Sequence, residues 1–245
     1  MKKGLNKSQI ERFSRQLVLK NIGAKGQKKI ISSKILVVGV GGLGCPAAEN
    51  LVRAGIGTLG LIDNDIINLS NIHRQSLFNS KDIKKLKVSV AAKKLKEINP
   101  LTKIKTYKSR LNQNNVRNIF KDYEIIIDGS DNFKTKFLIN DYCLKLRKKL
   151  ITGAISKFDG HVFTFDFQDK KSASLKNFYQ EEMISDDILN CEFDGVIGTT
   201  ASIVGATQAN EALKMLMQIG KNLKNQILII DLLNLNFRKI RFKKK

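Results

Sequence analysis

Asp63 and Asp65, two carboxylates one residue apart, follow an apolar run from Thr58 to Ile62. A glycine-rich turn, Gly39-Val-Gly41-Gly42-Leu-Gly44, closes another run from Lys34 to Gly39. In such a turn the first glycine permits the tight bend and the next ones let phosphate oxygens approach the backbone. The last lets helix and strand pack closely. A helix opening there offers unpaired N–H groups and a partial positive charge. Asp63 falls about where a ribose-binding carboxylate belongs. By itself the glycine pattern does not choose between a dinucleotide and ATP. Downstream come Asn68-Leu-Ser-Asn71-Ile-His73-Arg74-Gln75, then Lys87, then Asp128-Gly-Ser-Asp131-Asn132. A glycine nest with carboxylates, an arginine and a lysine is what metal-assisted attack on phosphorus needs, with Mg²⁺ on one side of a triphosphate and fixed cations on the other. Each residue also has a plainer reading. Lys87 has neighbours in Lys81, Lys84 and Lys85 on a solvated surface, Asp128 could cap a helix, and Asn132 could support a turn. His73 reads as a structural or hydrogen-bonding side chain.

The elements that must position these residues alternate. Apolar residues Ile10, Phe13 and Leu17 predict a helix over Ser8 to Lys20, and a second covers Ala24 to Ile31. Strands are expected at Lys34–Gly39, Thr58–Ile62, Ile104–Tyr107, Glu124–Ile127 and Lys149–Ala154. Helices are expected between them at Leu43–Ala54, Leu86–Ile98, Asn112–Phe120 and Asn132–Leu146. This βα alternation predicts a Rossmann-like α/β fold, a mostly parallel sheet with helices on both faces. Beyond it, Phe158-Asp-Gly160 reads as a turn into an antiparallel strand over Gly160 to Phe167. Gln168 to Cys191 is a long polar connection. A helix from Thr200 to Ile219 and two C-terminal antiparallel strands, Asn225–Asp231 and Leu235–Phe242, complete the expectation. One domain spanning 1–245 is expected: N-terminal helices (8–31), a nucleotide-binding core (34–155), and a mixed-sheet extension with a crossover region (156–245).

Composition narrows the classes. The 42% apolar content suits a globular chain. The basic, polar start is not followed by a signal-like apolar run, and no run approaches the roughly 20 residues a membrane span needs, so a cytoplasmic protein without a membrane partner is expected. Cys45, Cys143 and Cys191 are widely spaced, without disulfide or zinc spacing. The net charge of +22 would attract polyanions, but the lysines spread through nearly every segment. That distribution reads as solvated faces filled with lysine, and a nucleic-acid partner is not expected.

In order, Arg12-Phe-Ser-Arg15-Gln16, the glycine turn, Asp63-Asn-Asp65, Leu69-Ser-Asn71-Ile-His-Arg74-Gln75, Lys87 and Asp128-Gly-Ser-Asp131-Asn132 resemble the motifs of the ThiF/MoeB/HesA family, whose members activate ubiquitin-like and sulfur-carrier proteins. The resemblance continues through Gly160-His-Val, Val196-Ile-Gly198 and Gln208-Ala-Asn-Glu211-Ala212, covering nearly the whole chain. It implies ATP-dependent formation of an acyl-adenylate on the C-terminal Gly-Gly carboxylate of a small ubiquitin-like sulfur-carrier protein, with release of pyrophosphate, in thiamine or molybdenum-cofactor biosynthesis. It implies that Gly39, Gly41, Gly42, Gly44, Asp63, Asp65, Asn71, Arg74, Lys87, Asp131 and Asn132 hold ATP, with Asp131 as the Mg²⁺ ligand. It further implies that Arg15 is donated across a homodimer interface. Cys191 matches a crossover-region cysteine that bonds with the activated carrier in some relatives, although Glu192 and Asp194 beside it would raise a thiol pKa.

Many relatives bind structural zinc through two C-x-x-C pairs. Here Gln168–Asn190 has no cysteine and the chain ends Arg241-Phe-Lys-Lys-Lys245, so no zinc is expected. The alternatives are a related acyl-adenylating enzyme acting on a peptide or modified tRNA base, an NAD-dependent oxidoreductase on the same turn, and a binding module that retains ATP without catalysis.

Overall fold

In a computed structural model, which describes residues 4–179 and 195–242, the expected strands line up in one sheet. Among the described residues the sheet has eight strands: β1 (Lys34–Val38), β2 (Thr58–Ile62), β3 (Lys103–Tyr107), β4 (Ile125–Asp128), β5 (Lys149–Ser156), β6 (Asp159–Asp166), β7 (Gln226–Asp231) and β8 (Asn236–Arg241). Their order is β3-β2-β1-β4-β5-β6-β7-β8. The first five run parallel, and β5 through β8 pair antiparallel. Strand order reverses between β1 and β4, and the crevice at such a switch point is where open α/β sheets bind ligands.

Period-two alternation divides the core. Ile35 and Val37 of β1 face one cluster with helices α4 (Gly44–Ala54), α5 (Lys87–Ile98) and α8 (Gly198–Met217). Leu36 and Val38 face another with α6 (Val116–Phe120) and α7 (Phe133–Lys145). Apolar side chains on both faces of β1 thus explain why that strand reads as an unbroken hydrophobic run.

The N-terminal motif docks on this core. The single helix expected over Ser8–Lys20 is two short pieces, α1 (Lys7–Arg12) and α2 (Ser14–Leu17), broken at Phe13. Phe13 leaves the helical conformation and buries its ring against Gly55, which ends α4 at a φ of +92°. Burying that ring stabilises the dock by roughly 1.5–3 kcal/mol. A Cβ on Gly55 would sit 2.4 Å from the ring, so glycine is needed for the left-handed turn and for the packing. Arg12 donates to the Ile98 carbonyl at the end of α5, and Gln27 of α3 (Gly23–Ser32) donates to the Ala54 carbonyl.

Other boundaries also differ from expectation. α6 begins at Val116 rather than Asn112, because Asn112 accepts from the Asn114 and Asn115 amides and holds that stretch as a turn. The turn expected at Phe158-Asp-Gly160 sits one step earlier, with Lys157 at a φ of 51° and Ser156 paired to Asp159. Gly160 lies inside β6 instead. A Cβ there would come within 2.3 Å of Val204, so glycine lets α8 pack on the sheet. In the long polar connection, a 3-10 turn at Leu175–Asn177 is fastened by the Asn140 side chain accepting from the Leu175 amide. Within α8, Glu211 is buried and accepts from the Leu223 amide and Asn222, so it secures the return into β7 rather than serving the crevice.

Candidate nucleotide site

A cavity of about 740 Å³ opens at the carboxyl ends of the parallel strands. Its wall includes Gly39, Gly41 and Gly42, then Asp63 and Asp65, then Asn71, Arg74 and Lys87, and finally Asp131 and Asn132. Sequence motifs spread over ninety residues therefore converge on one crevice. Ser109, Arg110 and Leu111, following β3, also border it. No sequence motif had singled these out.

The glycines have separable tasks. Gly39 takes a φ of +83° and lies against Gly129, where a Cβ would meet the Gly129 carbonyl at 2.9 Å. A Cβ on Gly44 would come within 1.9 Å of the Gly39 carbonyl. Gly44 therefore permits the close packing of turn and helix, and the cavity wall is formed by Gly39, Gly41 and Gly42 of this turn. At Gly41 an added Cβ would meet only the Gln75 amide nitrogen, at 3.7 Å. Internal packing does not demand glycine there, and the position opens on the cavity.

Asp63 ties the second strand to this turn. One carboxylate oxygen accepts from the Val40 amide at 2.7 Å and the other from the Asp65 amide at 2.8 Å. Burial raises its pKa above the usual carboxylate value, opposed by those two backbone hydrogen bonds and by the charge on Lys87. Lys87 is not the solvated lysine its neighbours suggested. It is 7% exposed, and its Nζ lies 3.0 Å from Asp65 Oδ2. Its amide also donates to the Asp65 carbonyl.

A 3-10 turn at Leu69–Asn71 carries the next donors. Asn71 Oδ1 accepts from the Asn68 amide at 3.0 Å, fixing the side chain at the cavity edge. Arg74 Nη1 donates to the Ser70 carbonyl at 2.9 Å and lies 2.8 Å from His73 Nε2. Arginine has no acceptor, so that imidazole nitrogen accepts and His73 orients the guanidinium, in keeping with its expected hydrogen-bonding role.

After β4, Asn132 caps α7 by accepting from the Thr135 amide, and its Nδ2 donates to Asp131 Oδ1 at 3.1 Å. Asp131 is exposed to the cavity. Asp128 does not cap the helix. It is fully buried and paired with Lys136, a residue sequence reasoning missed. A signal for it existed: Phe133, Lys136, Phe137 and Asn140 fall at helical spacing on the buried face of α7.

Among the described residues no group of three or more His, Cys, Asp or Glu side chains is gathered to hold a metal. A Mg²⁺ ion suits the wall nonetheless. Magnesium usually takes one or two carboxylates and fills its octahedron with substrate phosphates and water, and Asp131 offers one open carboxylate beside a turn shaped for phosphate.

Some predicted residues are not brought here. Arg15 is exposed on α2 and is absent from the wall of its own chain's cavity. Cys191 lies outside the described residues. Cys45, in the first turn of α4, is fully buried in the core. Burial drives its thiol up to about 12, outweighing a hydrogen bond with the Leu77 backbone and the charge on Lys87. Cys143 is buried likewise and raised well above the usual thiol value. No helix among the described residues is long and apolar enough to cross a membrane.

A model of the ThiF family matches residues 13–245. A sulfur carrier protein adenylyltransferase of Thermus thermophilus is 36% identical over 237 residues, which is 96% of this chain and 88% of that one. An adenylyltransferase and sulfurtransferase MOCS3 of Drosophila virilis is 39% identical over 241 residues. The match takes in 98% of this chain but 53% of that protein, so the chain spans about half the length of that relative. Among solved structures, Escherichia coli MccB with ATP superposes with a TM-score of 0.82 at 20% identity, over 96% of this chain and 72% of that one, a likeness of fold. With a family model covering all but the first twelve residues and a relative aligned over most of both chains, this protein belongs to the ThiF family.

Proposed function

We propose that the chain is an ATP-dependent adenylyltransferase that activates the C-terminal carboxylate of a small ubiquitin-like sulfur-carrier protein, in thiamine or molybdenum-cofactor biosynthesis. The observation that carries this reading is the convergence of the glycine turn, Lys87, Arg74 and Asp131 on one cavity. The family and the Thermus relative's carrier-adenylating activity support the choice of acceptor.

The reaction is attack by the carrier carboxylate on the α-phosphorus of ATP, forming the acyl-phosphate bond as the bond to pyrophosphate breaks. A carboxylate is already ionised near neutral pH, so no general base is required. The protein's work is alignment and charge neutralisation. The backbone amides around Gly41 and Gly42 cradle phosphate, and Asp63 receives the ribose while bracing the turn. Asn71 and Arg74 orient the phosphate chain. Lys87 neutralises developing charge, exchanging part of its contact with Asp65. Asp131, steadied by Asn132, would hold Mg²⁺, which supplies Lewis-acid neutralisation of phosphate oxygens when bound. Arg15, exposed and outside the wall of its own crevice, is assigned to the partner's site in a homodimer.

Magnesium-dependent ATP–pyrophosphate exchange with purified carriers tests the proposal. Exchange is expected with a Gly-Gly-terminated carrier and lost when its last two glycines are removed. Asp131→Asn is expected to slow it at least about a hundredfold, the usual scale for losing one electrostatic stabiliser. Exchange supported equally by a short peptide or a tRNA, and not by any carrier, would overturn the choice of acceptor.

A further inference from the structure

Along one wall of the crevice, where Gly129, Ser130 and Lys136 border the cavity, lies a polar network that none of the assigned roles uses. Asp128, at the end of β4, is fully buried and all four hydrogen bonds to its carboxylate come from this network. Oδ1 accepts from the Ser130 amide at 2.9 Å and from Ser130 Oγ at 2.5 Å. Oδ2 accepts from Thr152 Oγ1 at 2.5 Å and from Lys136 Nζ at 3.2 Å. Lys136 is 4% exposed and donates also to the Gly153 carbonyl at 2.6 Å. Gln208 of α8 donates to the Asp128 carbonyl at 2.7 Å, and the Gly129 amide donates to the Val38 carbonyl at 2.8 Å.

A buried ion pair is a poor way to gain stability. Desolvating both charges cancels most of their attraction, and a well-packed apolar pair of similar volume often serves as well or better. What these charges do accomplish here is geometric. The turn from 128 to 132 contains Gly129 and Ser130, short residues that would otherwise leave Asp131 poorly fixed. The network holds that turn at both ends and joins it, through the Gly153 carbonyl, to the stretch of β5 where Ala154 and Ile155 form another part of the cavity wall. Thr152 ties Asp128 to β5 directly, and Lys136 is the side chain that adds α7 to this join.

We propose that Lys136 is a positioning residue: paired with Asp128 and bonded to Gly153, it locks the 128–132 turn to the end of β5, and so aims Asp131 at the metal and phosphates. The inference rests on the adenylation reading for its kinetic consequence, but its binding consequence needs only ATP and Mg²⁺.

The test uses the full chain carrying Asp128→Asn together with Lys136→Met, which removes both buried charges at once and leaves neither orphaned. Three quantities are measured: the melting temperature, ATP affinity with and without Mg²⁺ by equilibrium dialysis, and the split between kcat and KM in pyrophosphate exchange. The double variant is expected to melt within about 5 °C of wild type, the span of roughly a one- to two-kilocalorie change in a chain of this size. Its metal-free ATP affinity should stay within about twofold, while the tightening by Mg²⁺ falls at least about fivefold. The kcat should fall at least about tenfold with KM for the carrier within about threefold, as for an interaction expressed in the transition state. Lys136→Arg, which keeps a donor for both Asp128 and Gly153, should recover most of the loss. Should the double variant fail to fold, Thr152→Val removes one hydrogen bond to Asp128 and is expected to move the same two quantities less far. Unchanged Mg²⁺ tightening and kcat in a folded variant would overturn the proposal, as would failure of Lys136→Arg to improve on the double variant. If wild type exchanges with no carrier, the adenylation reading falls, and the Mg²⁺-dependent ATP affinities still decide for or against Lys136.

Discussion

Two aspartate–lysine pairs border the same crevice, and they differ in their access to water. Lys87 is buried, but its partner Asp65 has a side chain 58% exposed, so the pair sits at the rim with one end in solvent. Lys136 and Asp128 are 4% and 1% exposed, with every carboxylate oxygen occupied. At the rim, solvent compensates Asp65 when Lys87 turns toward an incoming phosphate, so the contact is exchangeable. In the buried pair neither charge can leave without stranding the other in a low-dielectric surrounding. The same two residue types therefore make a ligand-responsive contact in one place and a fixed strut in the other.

The comparison breaks first on stability. Asp128→Ala strands the Lys136 ammonium and should cost about 3–5 kcal/mol, a fall of roughly 6–20 °C in melting temperature. Asp65→Ala should cost less, about 1–2 kcal/mol, because the Lys87 ammonium keeps the charge of Asp63 nearby. Calorimetry of both variants settles it, and similar losses would erase the distinction. Activity should rank the other way for the rim lysine. Lys87→Ala is expected to lower kcat for exchange about a hundredfold, near 2.7 kcal/mol, while the fold is retained. A variant that exchanged at wild-type speed would show Lys87 to be a partner of Asp65 and nothing more.

The glycine turn offers a milder version of the contrast. Gly44→Ala places a methyl into the Gly39 carbonyl and should cost several kilocalories in stability, whereas Gly41→Ala has room within the chain. Gly41→Ala should raise KM for ATP about tenfold with little change in melting, read from parallel kinetic and thermal assays. The smallest effect concerns thiols. With burial raising Cys45 to about 12 and Cys143 well above the usual thiol value, both should resist alkylation at pH 8 until the protein unfolds, and mass spectrometry of the labelled peptides will show it.

The crevice was legible in the sequence where residue type carried geometry with it. Glycines at 39, 41, 42 and 44 after an apolar run have few other uses, and Asp63 follows the next strand at the expected distance. Lys136 was not legible in that way. A lysine in a chain with so many reads as solvated, and its burial depends on which face α7 turns to the sheet. Gln208 was visible as part of a family motif, but the carbonyl it serves lies 80 residues away in sequence, at Asp128. The fold was readable nearly strand by strand because alternating helices and apolar runs set the parallel half. The misplacements came where a local side chain competed with the periodicity, at Phe13 and Asn112, or where a glycine served packing against a distant helix, at Gly160.

Strand β8 closes one side of the sheet with no neighbour beyond it among the described residues, and Phe237 and Ile240 on it are about half exposed. A bare backbone edge beside apolar rings invites another strand to add on, and proteins commonly discourage this with basic side chains. Arg238, Lys239 and Arg241 occupy that edge, so two such edges meet as like charges. Part of the excess of lysine and arginine thus has a colloidal use: acetylating or neutralising this strand would favour end-to-end stacking of sheets, and raised salt would do the same by shortening the reach of the repulsion.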